Sequence, residues 1–203
     1  MNTIRGHYPG AVDDELCMRP ATARDYEPLL AMMAARCDLM ERLGQESWRE
    51  NIQDLSGLCV HEDAGMWVLD SARLGVIGTT TLIATPPPWG WDEEEMAQPA
   101  IYLYTTITHP SARSMKPGTL IAHWAVDRAA EQGLSYVRRG CFVPELAAYY
   151  QTQGFQLVRE MDRKKVHAYL LQHPAEAVLD LPGRFRQTAA ALAALPAGQA
   201  VHA

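Results

Sequence analysis

The chain has 203 residues, of which 48% are apolar, and this suffices for one globular domain with a substantial core. It carries 18 Lys and Arg residues against 24 Asp and Glu residues, which gives a net charge of −6 at pH 7. This acidic balance argues against a protein whose main partner is nucleic acid or an anionic membrane, and it is compatible with an enzyme that acts on a cationic substrate.

Membrane and metal-binding signals are missing from the sequence. No apolar run approaches the ~20 residues that span a bilayer, and the start, MNTIRGHYPGAVDDE, contains no apolar segment typical of a signal peptide. We therefore expect a cytoplasmic protein that does not enter membranes. The cysteines form no C-x-x-C pair and no cluster with histidine at ligand spacing: Cys17, Cys37, Cys59 and Cys141. We expect them to be reduced core residues, and we predict no metal site.

The N-terminal part of the chain is predicted to contain one strand and two helices. Residues 1–15 are polar and show no hydrophobic period, which indicates a flexible arm. The strand-like run ELCMRP follows and ends at Pro20. Thr22 and Asp25 have the spacing of a capping box and predict the start of a helix. The run QESWRENIQDLSGL predicts a weaker second helix that ends near Gly57.

Three strands are predicted in the middle of the chain, because Val, Ile, Thr and aromatic residues are enriched in GMWVLDSA, GVIGTTTLIAT and AIYLYTTI. The segment PPPWGWDEEEMAQP between the last two is predicted to be a loop, because three consecutive prolines cannot continue a strand ladder. The clearest helix covers residues 119–132, and Gly133 follows it where a glycine after a helix belongs.

The C-terminal part is predicted to hold a strand (SYVRRGCFV), a short helix (PELAAYYQTQ) and a final hairpin (GFQLVRE with KVHAYLL). The Ala-rich tail has the pattern of a further helix over 185–195. We therefore divide the chain into an arm (1–15), one domain (16–173) and a C-terminal extension (174–203). The order β-α-α-β-β-β-α-β-α-β-β predicts an α/β (α+β) fold, with a mixed, largely antiparallel sheet, helices on both faces and one βαβ crossover through the 119–132 helix.

The turn before that helix has the composition of an anion site. It contains two cations, Arg113 and Lys116, followed by Pro117 and Gly118 at the helix start. A helix N-terminus exposes unpaired N–H groups and a partial positive charge, so it attracts phosphate. The alternative is an ordinary connection with solvated cations. The nucleotide-binding patterns G-x-x-x-x-G-K-[ST] and G-x-G-x-x-G are absent, which argues against nucleoside triphosphates and dinucleotides.

From Tyr102 to Phe155 the chain resembles the GCN5-related N-acetyltransferases, the GNAT superfamily, in its bacterial small-molecule type. In that family the turn has the pattern [Q/R]-x-x-G-x-[G/A], and its amides bind the pyrophosphate of acetyl-CoA. The turn here reads RSMKPG, so that Lys116 replaces the first glycine, and lysine is compatible with this role if the position needs no positive φ. The resemblance implies acetyl-CoA as co-substrate, bound by Arg113, Ser114, Met115, Lys116, Pro117, Gly118 and Thr119.

Two further features are implied by the same resemblance. Family members show a tyrosine, three residues and then Gly-Phe, and the matching Tyr150 would protonate the leaving thiolate of CoA. Tyr149, in the next register, is the alternative, and Tyr150 could also be a core aromatic. The family often has an asparagine seven residues before this tyrosine, where this chain has Val143. The strand before the turn would pair with the pantetheine arm through the main-chain atoms of Thr106, Ile107 and Thr108.

The base that deprotonates the acceptor amine is not evident from the sequence. Family members place a carboxylate on the strand before the turn, and AIYLYTTI holds none. The alternatives are Glu93, Glu94, Glu95, His109 and His167. Cys141 has no readable His-Asp partnership and is interpreted as core or cleft lining rather than a nucleophile.

The loop WGWDEEEM would lie on the acceptor side, and two tryptophans beside four acids would suit a cationic amine. A solvated loop with one tryptophan packed on the core is the alternative. A small amine, an aminoglycoside-like antibiotic, a polyamine and a protein N-terminus all stay open as acceptors.

The predicted function is therefore an acetyl-CoA-dependent N-acetyltransferase acting on a small-molecule or protein amine, without a metal. One alternative is a catalytically degenerate GNAT-like module that binds CoA or regulates a partner. Another is a structural protein that assembles, for example as a homodimer, through its Ala-rich tail.

Overall fold

The computed structural model describes residues 15–84, 87 and 89–181. Most of the arm (1–14) and the segment 182–203, with the helix predicted over 185–195, lie outside the described residues. The strands are β1 (Leu16–Pro20), β2 (Met66–Ser71), β3 (Gly75–Ile83), β4 (Ala100–Thr108), β5 (Tyr136–Cys141), β6 (Gln156–Arg163) and β7 (Val166–Pro174). The α-helices are α1 (Tyr26–Arg42), α2 (Ile52–Gly57), α3 (Glu93–Ala97), α4 (Pro117–Glu131) and α5 (Pro144–Gln151).

The seven strands described here form one sheet in the order β1-β2-β3-β4-β5-β7-β6. Only β4 and β5 pair in parallel, and α4 is the crossover between them. The other neighbours pair antiparallel. The predicted fold class, with its single βαβ crossover and largely antiparallel sheet, is confirmed.

Alternation along the strands divides the core between the two faces of the sheet. In β2, Trp67 and Leu69 belong to the larger core under α4 and α5, whereas Met66 and Val68 face the core under α1 and α2. A third, small cluster joins Trp91, Tyr102 and Leu170 beneath the segment that contains α3. Helices therefore cover both faces, as predicted.

The start of α1 follows the predicted capping signal. A 3-10 turn, Ala23–Asp25, precedes the helix, and the Asp25 carboxylate accepts hydrogen bonds from the Thr22 backbone N–H at 2.8 Å and the Thr22 hydroxyl at 3.1 Å. Arg19 donates to both oxygens of the same carboxylate at 2.7 and 2.8 Å. This ion pair fastens the helix start to β1.

Two element predictions were wrong in detail. The segment 86–99, predicted to be a loop, contains α3, because Asp92 and Glu95 form a reciprocal capping box with 2.8 Å hydrogen bonds. The second helix does not begin near Gln45 but at a 3-10 turn, Arg49–Asn51, which leads into α2. Among the helices of the described residues, none is long and apolar enough to cross a membrane.

Candidate active site

Strands β4 and β5 separate in the middle of the sheet. Their pairing extends only from Ala100 and Tyr136 to Leu103 and Arg139. Beyond these residues β4 continues to pair with β3 as far as Thr108, and β5 continues to pair with β7 as far as Cys141. We call the resulting gap, with Leu103 and Arg139 at its apex, the fork.

A local distortion of β4 accompanies the fork. Thr105 has φ 51°, a left-handed value that β-branched residues rarely adopt, and the register with β3 shifts between Thr79 and Thr81. Beyond this bulge the edge of Thr106–Thr108 that faces β5 has no strand partner among the described residues. The predicted arm-binding segment thus lies along one side of the fork, with Ile107 buried in the core under α1.

The turn after β4 is a 3-10 helix, Pro110–Met115, which leads into α4. Arg113, Ser114 and Lys116 are exposed around it, whereas Met115 and Pro117 are buried. A ligand at this turn therefore meets the Met115 backbone and not its side chain. Arg113 and Lys116 are thus exposed at the turn that leads into the first residues of α4.

Lys116 adopts the left-handed conformation, with φ 51° and ψ 52°. The position does require a positive φ, so the condition under which lysine would be a neutral replacement for glycine is not met. A non-glycine residue in this region costs ~1 kcal/mol or more. The backbone nevertheless follows a glycine-like path, and the ammonium group adds a charge at the rim.

Tyr149 lies over the start of α4. Its hydroxyl is 3.1 Å from the Thr119 hydroxyl, and Gln153 donates to the same Thr119 oxygen at 3.3 Å. A Cβ built on Gly118 would lie 3.4 Å from the Tyr149 hydroxyl, at the near limit of ordinary van der Waals contact. Tyr149 is 40% exposed. Of the two adjacent tyrosines, Tyr149 is therefore the one that borders the turn between β4 and α4.

Tyr150 instead points into the protein near the apex of the fork. It is 7% exposed, and its ring tilts against Phe155 at a centroid distance of 6.4 Å. Burial raises the pKa of the Tyr150 phenol, and the nearby Arg139 guanidinium opposes that rise. The phenol is thus protonated at neutral pH and able to donate a proton.

Arg139 is a buried cation that faces Tyr150. Its guanidinium carbon is 3.3 Å from the Tyr150 ring centroid, and its Nη1 donates to the Gln153 side-chain oxygen at 3.4 Å. Its Nε is buried and has no hydrogen-bond partner. No ion pair to Arg139 occurs in the described part of the chain, and burial lowers the pKa of its guanidinium.

Arg139 was not identified as a site residue from the sequence. In β5, residues 137, 139 and 141 share one face by alternation, and this face packs in the core under α4 and α5. The alternation of β5 therefore places the charged residue 139 on the inward face between Val137 and Cys141, and this pattern could have identified it from the sequence. Cys141 itself is buried, and burial raises the pKa of its thiol, which agrees with its interpretation as a lining residue.

The loop expected on the acceptor side is held against the sheet by three arginines. The Arg138 guanidinium stacks over Trp91 at 4.7 Å, and that of Arg163 stacks over Trp89 at 4.2 Å. Arg159 contacts the carboxylates of both Asp92 and Glu95 at 3.2–3.3 Å. One face of each tryptophan and two of the four acids are therefore already engaged by arginines of the same chain.

The candidate bases are dispersed around the molecule. His109, directly after the C-terminal end of β4, caps the 3-10 turn: its Nδ1 accepts a hydrogen bond from the Ser111 N–H at 3.1 Å. His167 lies on the β6–β7 hairpin between Asp162 and Glu160, and these carboxylates raise the pKa of its imidazole. Glu95 is engaged by Arg159, and Glu93 and Glu94 are exposed on α3. Over the described residues, no group of three or more His, Cys, Asp or Glu side chains is placed to hold a metal ion.

Comparison with solved structures identifies the fold. A GNAT-family acetyltransferase from Listeria monocytogenes superposes with a TM-score of 0.62 at 19% identity, covering 85% of this chain and 99% of that one. A histone acetyltransferase HPA2-related protein from Corynebacterium glutamicum gives 0.57 at 16% identity, over 81% and 98% of the two chains. A spermidine N-acetyltransferase SpeG chimera from Vibrio cholerae and hSSAT gives 0.55 at 14% identity, over 79% and 95%.

No protein-family model matches the sequence, and no curated protein sequence matches it either. The structural similarity, at identities below 20%, establishes that the chain has the GNAT fold. The resemblance inferred from residues 102–155 and the three-dimensional fold therefore agree.

Proposed function

We propose that this chain is a cytoplasmic, acetyl-CoA-dependent N-acetyltransferase that acetylates the primary amine of a small molecule or a protein by direct attack. The observation that carries the proposal is the fork between β4 and β5. Beyond the apex, the edge of β4 that faces β5 has no strand partner among the described residues, and β4 leads to the N-terminus of α4. The buried Tyr150 contacts Arg139 at the apex. Solved structures with the same fold are described as acetyltransferases, which supports this reaction class.

The residues along the fork would hold acetyl-CoA, which would supply an activated acetyl group on a long, extended arm. The main-chain groups of Thr106–Thr108 are available to pair with the amides of that arm as an added strand would. Arg113, Lys116 and the N–H of Gly118 would hold the pyrophosphate at the start of α4. The lack of a side chain on Gly118 fits close approach of phosphate to the backbone.

Tyr150 is the proposed general acid. The new N–C bond forms as the C–S bond breaks, and the phenol oxygen of Tyr150 gives its proton to the departing thiolate. A thiol has a pKa of ~8.5, so it leaves more readily with a donor beside it. Tyr149 is exposed and hydrogen-bonded to Thr119, so we propose that it contacts the ligand and does not transfer the proton.

The acceptor amine must lose a proton before it attacks, because an alkylammonium group has a pKa of ~10.4. β4 contains no carboxylate, and Glu95 and His167 are engaged by other side chains. We propose that the amine is taken up from solvent as its free base. The value of kcat/KM then rises with pH and levels off once the pH exceeds the pKa of the acceptor amine.

The acceptor site does not select for positive charge in this proposal. The arginines that stack on one face of Trp89 and of Trp91, and the pairing of Asp92 and Glu95 with Arg159, occupy most of the groups that would attract a cation and leave the exposed Glu93 and Glu94. A neutral or weakly charged primary amine is therefore the preferred screening class, with polyamines as the comparison.

The first experiment is thermal unfolding with and without acetyl-CoA, with ADP, ATP and NAD as controls. A ligand at ~100 times its Kd adds ~2.7 kcal/mol, which corresponds to a rise in Tm of about 5–10 °C for a chain of this size. A rise confined to acetyl-CoA and CoA would support the cofactor site. The absence of a shift at millimolar acetyl-CoA would overturn the proposal.

Turnover is then measured as thiol release with a panel of primary amines. Tyr150→Phe should keep the acetyl-CoA-dependent rise in Tm and lose 10²-fold or more in kcat, the order expected for a general acid. Tyr149→Phe is the matched control, since it removes one hydroxyl from the adjacent exposed position and should mainly weaken ligand binding. Ligand binding by the wild type without turnover on any amine would favour the catalytically degenerate module.

A further inference from the structure

We propose that Arg139 is a positioning residue for Tyr150: it holds the phenol ring at the apex of the fork and stabilises the negative charge that the phenol oxygen acquires on giving up its proton. The proposal rests on the proposed function, because it assigns Arg139 a part in the proton transfer by Tyr150.

The contact between the two side chains is close and enclosed. The Arg139 guanidinium carbon lies 3.3 Å from the Tyr150 ring centroid and 5.2 Å from the centroid of Phe155. Arg139 and Tyr150 are 3% and 7% exposed. A ring in van der Waals contact with a buried planar cation has little freedom to tilt, so its hydroxyl direction is defined.

The arginine is itself anchored from two elements. It belongs to β5 at the last residue paired with β4, and it donates to the side chain of Gln153, just after α5. Gln153 also donates to the Thr119 hydroxyl in α4. These two hydrogen bonds therefore link Arg139, at the apex of the fork, through Gln153 to Thr119 at the start of α4.

The charge of Arg139 is not neutralised by an acid. The ion pairs found among the described residues leave it without a carboxylate, and its buried Nε makes no hydrogen bond. A buried cation without a carboxylate partner is costly, and the Gln153 oxygen and the Tyr150 ring face offset this cost only in part. Burial disfavours a negative charge on the Tyr150 oxygen, and the adjacent guanidinium offsets part of this cost.

Proton transfer by Tyr150 creates such a charge. The thiolate takes the phenol proton, an O–H bond is replaced by an S–H bond, and a phenolate remains next to the guanidinium until it regains a proton from solvent. Arg139 needs no proton exchange of its own, since a guanidinium stays charged throughout the accessible pH range. The opposing effects of burial and of Arg139 on the pKa of Tyr150 agree with this assignment.

A tyrosine titration tests the pairing directly. Protein labelled with [ζ-13C]tyrosine is titrated from pH 7 upward by NMR, and the Tyr150 signal is assigned by its loss in Tyr150→Phe. We expect Arg139→Met to raise the titration midpoint of Tyr150 by one pH unit or more, and Arg139→Lys to restore part of the difference. Arg128→Met is the control, because Arg128 is a buried arginine on α4 that stacks over Trp67 at 4.6 Å.

The kinetic counterpart is a fall of about 10²-fold in kcat for Arg139→Met with a smaller change in KM, partly rescued in Arg139→Lys. The alkaline limb of kcat/KM should move to higher pH together with the Tyr150 midpoint. An unchanged midpoint in a folded Arg139→Met protein would overturn the proposal, and if that variant does not fold, an unchanged midpoint in a folded Arg139→Gln protein, which also lacks the charge, would do the same.

The two proposals fail in different measurements. If the wild type transfers no acetyl group to any amine, the proposed function fails, while the titration in the free protein still decides whether Arg139 controls the phenol. If turnover occurs and the midpoint does not move, the function stands and Arg139 is a packing residue only.

Discussion

The side chain of Asp127, in the middle of α4, accepts a hydrogen bond from the backbone N–H of Val178 at 2.7 Å. Val178 is fully buried, and Leu181 joins it in the core under α4. The Ala175 N–H donates to the Ser135 carbonyl at 2.8 Å. Hydrogen bonds thus attach the described start of the C-terminal extension to the helix that follows the basic turn, α4, and to the residue before β5.

Asp127→Ala should lower the free energy of unfolding by about 1–3 kcal/mol, because it removes the buried hydrogen bond between the Asp127 carboxylate and the Val178 N–H. Asp127→Asn keeps an acceptor oxygen in the same place and should cost less than half as much. Urea unfolding of the two variants checks this. Equal losses for both would mean that the negative charge, rather than the hydrogen bond, stabilises the contact.

Substitution at position 116 separates backbone strain from charge. Lys116→Ala keeps a Cβ in the left-handed region, whereas Lys116→Gly removes it, so we expect the glycine variant to be more stable than the alanine variant by about 1 kcal/mol. Both variants lose the ammonium group, and both should bind acetyl-CoA more weakly at low salt than the wild type. Thermal unfolding and a ligand titration at two salt concentrations measure the two effects independently.

Gly154→Ala should be strongly destabilising. Gly154 has φ 91°, and an added Cβ would lie 2.5 Å from the Nε2 of the buried His173. Gly133→Ala is the control, since Gly133 has φ 70° but nothing within 4 Å of an added Cβ. We expect a loss of about 1 kcal/mol for the control and at least twice that for Gly154→Ala. Similar losses would show that the His173 ring moves aside without cost.

His123 should make the protein less stable in mild acid. Burial lowers the pKa of His123, on α4, below its ordinary 6.5, and the nearby His173 acts in the same direction. The unfolded chain then binds the proton more readily, so the free energy of unfolding falls as pH drops below about 6.5 towards the folded-state pKa. In His123→Gln this part of the pH dependence should disappear from urea midpoints measured between pH 5 and 8.

His167 provides a comparison of opposite sign. Its pKa is raised by Asp162 and Glu160, so its contribution is present below pH 6.5 and is lost as pH rises through the folded-state pKa. His167→Asn should therefore weaken the protein slightly at low pH and leave it unchanged at pH 8. A steeper acid dependence in His123→Gln than in the wild type would contradict the assignment of His123.

Local patterns were sufficient for most of the fold. The capping pair Thr22–Asp25, the β-branched strands and the 119–132 helix are each specified by neighbours in sequence, and the structure contains all of them. The helix α3 was missed because the prolines at 86–88 indicate a loop. The capping box of Asp92 and Glu95, which starts the helix, comes only after these prolines.

The candidate site depended more on distant contacts. The motif spacing singled out Tyr150 and the turn at 113–119, and these remain assignments to be tested. Spacing did not indicate that Tyr149 would border the turn through Thr119, or that Arg139 would face Tyr150.

By itself, the sequence determined the order of the strands and of the helices other than α3, the single crossover and the basic turn before α4, because periodicity, capping and composition act over a few neighbouring residues. The tertiary structure alone decided where β4 and β5 part, that Lys116 takes a positive φ, and that a buried arginine without an acidic partner stacks on Tyr150. These features arise from strand register and from packing between residues far apart in the chain, and such contacts leave no local pattern to read.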